Sequence, residues 1–258
     1  LHVPSPAALS IVVPTYNERD RLADLVTAIF AAYDAEQLDA ELIIVDDNSP
    51  DGTGALADAL AQQYRIRVLH RAGKLGLGTA VIAGFELATA PIVGVIDADL
   101  SHPPPVLPRM TAVMQQTGAD VVIASRYIPG GGVRNWPLNR RLMSRFACLL
   151  ARGVTPVRDA ASGFFLIRRE LVQGVRISAG GFKICLELLV RSRPSLVIEV
   201  PYVFEDRAAG ESKMSLKEAL GYLVQLRDLY GVHRRNRPAV QQYRRLTREA
   251  LQRERLLR

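Results

Sequence analysis

The stretch Ile92-Val93-Gly94-Val95-Ile96-Asp97-Ala98-Asp99-Leu100-Ser101-His102 decides the fold. Its first five residues form an apolar run without a polar face, as expected of a strand buried on both sides, and the run stops abruptly at acidic and polar residues. The same unit recurs outward from it. Toward the N-terminus, apolar runs at Leu9–Val13, Leu42–Val45 and Ile66–Leu69 alternate with helical periodicity over Leu22–Tyr33, Gly54–Gln63 and Gly78–Ala88. Toward the C-terminus, Val106–Gln116 reads as a helix, Val121–Ala124 as a strand and Glu199–Phe204 as a late strand. Strands alternating with helices predict an α/β fold with a mostly parallel central sheet covered by helices.

The chain of 258 residues is 48% hydrophobic, enough for one substantial core. Its two cysteines, Cys148 and Cys185, have neither metal-ligand spacing nor a disulfide framework and read as core thiols of a reducing compartment. No apolar run reaches the roughly 18–20 residues needed to cross a bilayer, and residues 1–9 lack the charged start of a signal peptide. The expectation is a soluble or peripheral protein. The net charge of +7 is unevenly placed: ten Arg and three acids lie between Arg227 and Arg258, so the rest of the chain is neutral. Leucines and tyrosines interleave these arginines, which favours a membrane surface over a partner helix or solvated face, and both over nucleic acid. Two further amphipathic segments, Arg140–Ala151 and Ser215–Tyr230, read as interface helices or as ordinary packing against the sheet.

Open α/β sheets bind ligands at the carboxyl ends of their strands. Here the residues following the strands are polar: Pro14-Thr15-Tyr16-Asn17-Glu18, then Asp46-Asp47-Asn48-Ser49-Pro50-Asp51, then Asp97-Ala98-Asp99. On an extended backbone, carboxylates two residues apart point to one side and can share a hard cation, Mg²⁺ or Mn²⁺, although any exposed turn can carry this pattern. Such an ion would neutralise the diphosphate of a nucleotide. Asp47 is placed to meet a base or ribose, with residues 14–18 as the opposite wall. The segment Gly73-Lys74-Leu75-Gly76-Leu77-Gly78 brings one cation to a helix start but is not a Walker loop. His102, followed by three prolines, is expected to shape the turn rather than to ligate metal. Trp136 and the Gly130–Gly132 loop read as either a packed turn or a lid, and Asp159 as an acceptor-orienting residue or a turn cap.

The motifs PTYNE, IIVDDNSPDGT, GLG, DADLSHPP, SRYIPGGGVRNWPLNRR, SGF, GFK and SKMS, in this order, resemble the dolichol-phosphate mannose synthase group of family 2 glycosyltransferases over about residues 10–222. The resemblance implies a GT-A fold and inverting transfer of mannose from GDP-mannose to a polyprenyl (dolichyl-type) monophosphate. It implies that Pro14, Tyr16, Glu18 and Asp47 hold the guanosine, that Asp97 and Asp99 hold the metal with Ser101 beside them, and that Arg126, Arg140 and Ser144 hold the acceptor phosphate. Asp99, Arg126 and Arg140 would then be the catalytic residues. Lys183, Arg207 and Lys213 would add positive charge around the donor diphosphate. Arg140 and Ser144, four residues apart on a helix, share a face as a joint phosphate site requires.

The expected organisation is a catalytic domain over 8–213 and an amphipathic, Arg-rich membrane-interface segment over 214–258. Attachment is expected to be peripheral, at the cytoplasmic face of a membrane, with a separate membrane-anchoring subunit as a further partner and no nucleic acid. Two other readings remain open at this level. One keeps the fold and lipid but uses UDP-glucose or another UDP-sugar; the other is a non-catalytic nucleotide- or lipid-binding scaffold, against which the intact Asp97, Asp99, Arg126 and Arg140 argue.

Overall fold

The computed structural model describes residues 7–175, 177, 183–205, 216–235 and 239–253. The first half alternates strictly: β1 (Leu9–Thr15), α1 (Arg19–Ala35), β2 (Ala40–Asp46), α2 (Thr53–Leu60), β3 (Ile66–His70), α3 (Leu77–Leu87), β4 (Ile92–Val95), α4 (Val106–Thr117) and β5 (Val121–Ser125). There follow β6 (Gly132–Arg134), α5 (Leu138–Ala151), β7 (Phe165–Arg168), α6 (Ile184–Arg191), β8 (Leu196–Pro201), β9 (Val203–Glu205), α7 (Leu216–Arg235), β10 (Gln242–Arg245) and α8 (Arg248–Arg253). Eight strands form one sheet in the order β10-β8-β5-β7-β4-β1-β2-β3, and β6 pairs with β9 in a small second sheet.

Successive strand residues serve opposite faces of the sheet. Ile11, Val13, Leu42 and Ile44 pack beneath α1, α2 and α4, whereas Val12, Ile43 and Val45 pack toward α3, α6 and α7. Both faces are thereby covered, which is why these strands are continuous apolar runs. Helix α3 lies so close to β1 that a methyl group at Gly84 would sit 2.4 Å from Val12 Cγ1. Gly84→Ala is therefore expected to destabilise the protein by about 1–3 kcal/mol in urea unfolding through overpacking. The better helix propensity of alanine, up to about 1 kcal/mol, offsets only part of that. Unchanged stability would mean that α3 can slide.

The structure departs from the sequence expectations in three places. Strand β7 is antiparallel to both β4 and β5, and its four residues gain strand character from lying between them. The late strand divides at Tyr202 into β8 and β9, which belong to different sheets. Finally, β10 pairs in parallel with β8, and Leu246 and Leu251 are buried in the main core. The sheet thus runs past the expected boundary at 213/214, and these leucines face protein rather than lipid. Both cysteines are free and buried. Among the described residues no helix is long and apolar enough to cross a membrane.

Candidate active site

The carboxyl ends of β1, β2 and β4 open onto a cleft of about 320 Å³ lined by Pro14, Tyr16, Glu18, Asp47, Asp97 and Asp99, with Lys74 and Gly76 on its rim. The first two loops are stitched together: the Asn17 amide donates to Ser49 Oγ (3.0 Å), Glu18 N–H to Thr53 Oγ1 (3.0 Å) and Arg19 N–H to Asp51 Oδ2 (3.2 Å). The Lys74 ammonium sits 3.9 Å from the centroid of the Tyr16 ring, a cation–π contact across the cleft mouth. Asp47 has a task not evident from sequence. Its Oδ1 accepts from Arg71 at 2.6 Å, and its Oδ2 accepts from the amides of Leu75 and Gly76, both at 3.1 Å. Arg71 also donates to Thr79 Oγ1 (2.6 Å), so the pair pins the glycine-rich loop beside the cleft.

The Asp97–Asp99 segment is held from both sides. Leu100 adopts φ +62°, unusual for a branched side chain, and this bend returns the amide and hydroxyl of Ser101 to Asp99 Oδ1 at 3.0 and 2.5 Å. Asp97 Oδ2 lies 3.0 Å from His102 Nε2, and Nδ1 of the same ring lies 3.0 Å from the Tyr202 hydroxyl. A neutral imidazole meets both partners when Tyr202 donates to Nδ1 and Nε2–H donates to Asp97. His102 thus orients a carboxylate of the Asp-x-Asp pair. Gly163, brought alongside by the antiparallel β7, leaves room there: a methyl group on it would stand 3.3 Å from Asp97 Oδ2.

Asp97 accepts through Oδ2 and Asp99 through Oδ1, and both residues line the cleft. Among the described residues no cluster of three His, Cys, Asp or Glu side chains is arranged to hold a metal. Two anchored carboxylates beside a space for a diphosphate suit a hard cation that takes its remaining oxygen ligands from ligand and water. Asp97 and Asp99 therefore fit Mg²⁺ or Mn²⁺. Ser101 acts on Asp99 directly.

Two strands away, Arg126 follows β5. Its Nε and one terminal nitrogen donate to Asp159 at 2.8 and 2.7 Å, and its backbone amide donates to the same carboxylate at 2.9 Å. Burial opposes the charge on Arg126, but Asp159 overrides it and raises the guanidinium pKa above its ordinary value. Arg126 and Arg140 lie 5.4 and 4.4 Å from the centroid of the Trp136 ring, which packs in the core against Phe204. Trp136 is a packed ring. Ser144 accepts from the Tyr127 hydroxyl at 2.7 Å. Burial, and then Arg126, lower the pKa of Lys183, while Asp159 and Asp97 act in the opposite sense. Burial, reinforced by Asp159, pushes the Cys148 thiol up to about 12, which keeps it an inert core group. Arg207 and Lys213 lie outside the described residues.

A nucleotide-sized cleft at the carboxyl edge, an Asp-x-Asp pair and an antiparallel strand inserted in a parallel sheet define a GT-A nucleotide-sugar transferase fold. Residues 10–176 match glycosyl transferase family 2, and the chain belongs to that family. It is 42% identical over 219 residues to the dolichol-phosphate mannosyltransferase of Pyrococcus furiosus, an alignment covering 83% of this chain and 61% of that protein. Identity to the dolichol-phosphate mannosyltransferase of Saccharomyces cerevisiae is 39% over 232 residues, covering 86% of each. The same fold occurs in glucosyl-3-phosphoglycerate synthase from Mycobacterium tuberculosis, solved with Mn²⁺, UDP and glucosyl-3-phosphoglycerate. That structure superposes with a TM-score of 0.63 at 21% identity and covers 87% of this chain and 80% of its own.

Proposed function

We propose that this protein transfers mannose from GDP-mannose to a polyprenyl monophosphate with inversion, at the cytoplasmic face of a membrane. The observation that carries the reading is the side-by-side placement of the Asp97/Asp99 cleft and the Arg126–Trp136–Arg140 group, joined through the packed rings of His102, Phe204 and Trp136. Similarity to proteins named dolichol-phosphate mannosyltransferase supports the sugar and the acceptor.

A phosphate monoester is anionic at neutral pH, so its oxygen attacks the anomeric carbon without a general base. One C–O bond forms as the bond to the GDP oxygen breaks on the opposite face, and the configuration inverts. The protein's work is to bring two anions together. Residues Pro14, Tyr16, Glu18 and Asp47 line the guanosine end. Arg126, whose guanidinium carries five N–H donors and spends two on Asp159, receives the acceptor phosphate with Arg140 and Ser144. Lys183 adds charge between acceptor and diphosphate, and Arg207 and Lys213 are assigned to the same diphosphate. Asp97 and Asp99 would hold a Mg²⁺ or Mn²⁺ ion, which would supply charge neutralisation to the departing nucleoside diphosphate.

The lipid end of the acceptor requires a surface at the bilayer. Helix α5 exposes Leu142 (57%) and Phe146 (60%), and neighbouring α7 exposes Leu220, Leu223 and Val224. The two helices are tied by hydrogen bonds from Tyr222 Oη to the Ala147 carbonyl (2.6 Å) and from Tyr230 Oη to the Leu150 carbonyl (2.8 Å). Together they present one apolar face able to enter the headgroup region. Leu142→Ser/Phe146→Ser is expected to weaken vesicle binding by about 10-fold or more in a flotation assay, since each side chain contributes of order 1–2 kcal/mol when buried in lipid. Unaltered flotation would remove α5 from the interface. A membrane-anchoring subunit would meet the same face.

The deciding experiment is transfer of labelled sugar to a short polyprenyl phosphate from a panel of GDP- and UDP-sugars. A β-linked product from GDP-mannose alone is expected. Product from a UDP-sugar instead would replace the donor, an α-linked product would overturn inversion, and no product from any donor would leave a nucleotide- or lipid-binding scaffold.

A further inference from the structure

A second cavity, of about 490 Å³, shares no lining residue with the donor cleft. It lies between α5 and the β5–β6 connection, and four arginines reach it: Arg126, Arg145, Arg152 and Arg158. Arg126 is committed to Asp159. The other three are different: among the described residues none of them has a carboxylate within ion-pair distance. Three like charges converging on one concavity repel one another, and an anion placed there would relieve that repulsion while gaining charge-assisted hydrogen bonds. Guanidinium forks match the paired oxygens of a phosphate. The wall opposite is made by backbone: a methyl group at Gly131 would stand 2.4 Å from the Ser125 carbonyl oxygen, so that turn is closed tightly against β5.

The apolar surroundings narrow the ligand class. Leu149 lines the cavity and is itself 56% exposed, and one and two turns back along α5 lie the exposed Phe146 and Leu142. A free inorganic anion would gain nothing from this stripe. A phosphate carried on acyl chains would, with its head among the arginines and its chains along α5. Of the residues assigned to the acceptor phosphate, Arg126 borders the cavity, whereas Arg140 and Ser144 do not line it, so the cavity adjoins the acceptor site without coinciding with it.

We propose that the Arg145–Arg152–Arg158 cavity binds the phosphate headgroup of an anionic membrane phospholipid, and that this contact sets how α5 lies on the bilayer. The inference rests on the membrane-facing part of the proposed function and is independent of donor and sugar.

The test is flotation of the full chain with phosphatidylcholine vesicles with and without phosphatidylglycerol, for wild type, Arg145→Gln/Arg152→Gln, Arg145→Lys/Arg152→Lys and the charge-matched control Arg21→Gln/Arg193→Gln, whose residues lie on α1 and after α6, away from α5 and α7. Arg145, Arg152 and Arg193 are exposed and Arg21 is half-buried, and equal melting temperatures across the variants are required to verify the fold. Phosphatidylglycerol is expected to strengthen wild-type binding, and Arg145→Gln/Arg152→Gln to weaken binding to those vesicles about 10-fold, with the lysine pair intermediate and the control losing less than about 3-fold. Equal losses in the two glutamine pairs would reduce the effect to diffuse charge and overturn the site. Displacement by millimolar glycerol phosphate would assign it to soluble phosphates. Sensitivity confined to vesicles carrying polyprenyl phosphate in place of phosphatidylglycerol would assign it to the acceptor, and either result overturns the phospholipid. Wild type that floats with no vesicle overturns the membrane reading itself. Wild type that floats normally while Arg145→Gln/Arg152→Gln matches it overturns only the cavity.

Discussion

Replacing Asp99 with alanine is expected to lower the rate of sugar transfer by about 10²–10³-fold, the scale of losing one preorganised group that offsets developing charge. The loss should fall on kcat rather than on KM, because this carboxylate is assigned to the leaving diphosphate and not to the base or the acceptor. Stability should change little: Asp99 sits at the cleft rim, outside the apolar clusters of the core. Ser101→Ala serves as the graded companion. It removes the hydroxyl that bonds Asp99 Oδ1 but keeps the backbone donor, so a loss of about 10-fold is expected, at the low end for partners that orient a ligand. Steady-state transfer assays and thermal melts on the same preparations check both. An Asp99→Ala protein within a factor of ten of wild type would remove the carboxylate pair from the chemistry.

Asp159→Ala is expected to cost about 3–5 kcal/mol, because it strands the buried Arg126 charge. For a chain of this size that corresponds to a fall in melting temperature of roughly 6–20 °C. The Asp159 side chain is 0% exposed and that of Arg126 8%, so water cannot take over the lost contacts. The backbone amide of Arg126 loses its acceptor as well. Removing both partners in Arg126→Ala/Asp159→Ala should cost less than the sum of the single changes, since neither charge is then left alone. Strict additivity in urea unfolding would show that the pair is not energetically coupled. The same experiment separates stability from activity: Arg126→Ala should lose transfer in excess of its unfolding, whereas Asp159→Ala should act on both through the position of Arg126.

Much of the donor half was legible in the residues. Ile92–Ile96 had to be a strand because no polar side chain interrupts it, and the abrupt change at Asp97 marked the strand's ligand-bearing end. Pro14, Tyr16, Glu18, Asp47, Asp97 and Asp99 do line one cleft. The partners of those residues were not legible. Arg71 reads as one more surface cation until the chain crosses β2 and β3 and sets it against Asp47. Asp159 lies 33 residues from Arg126, with α5 between them, and nothing in its neighbourhood announces the pairing. His102 gave a turn signal through the prolines that follow it, while its bond to Asp97 depends on Tyr202 arriving from 100 residues away.

The C-terminal segment shows the same division from the other side. Arginines interleaved with leucines and tyrosines have the composition of an interface helix, yet β10 finds the open edge of β8 and turns Leu246 and Leu251 into core. Composition cannot distinguish a bilayer from a protein interior, since both reward the same apolar side chains. By itself, the sequence determined the alternating strands and helices, the family and the acidic carboxyl edge, because hydrophobic periodicity and short motifs are local properties of the chain. Only the tertiary structure decided which charges are paired, which arginines converge on an unpaired cavity and which leucines meet protein, because each depends on residues far apart in sequence being brought together out of water.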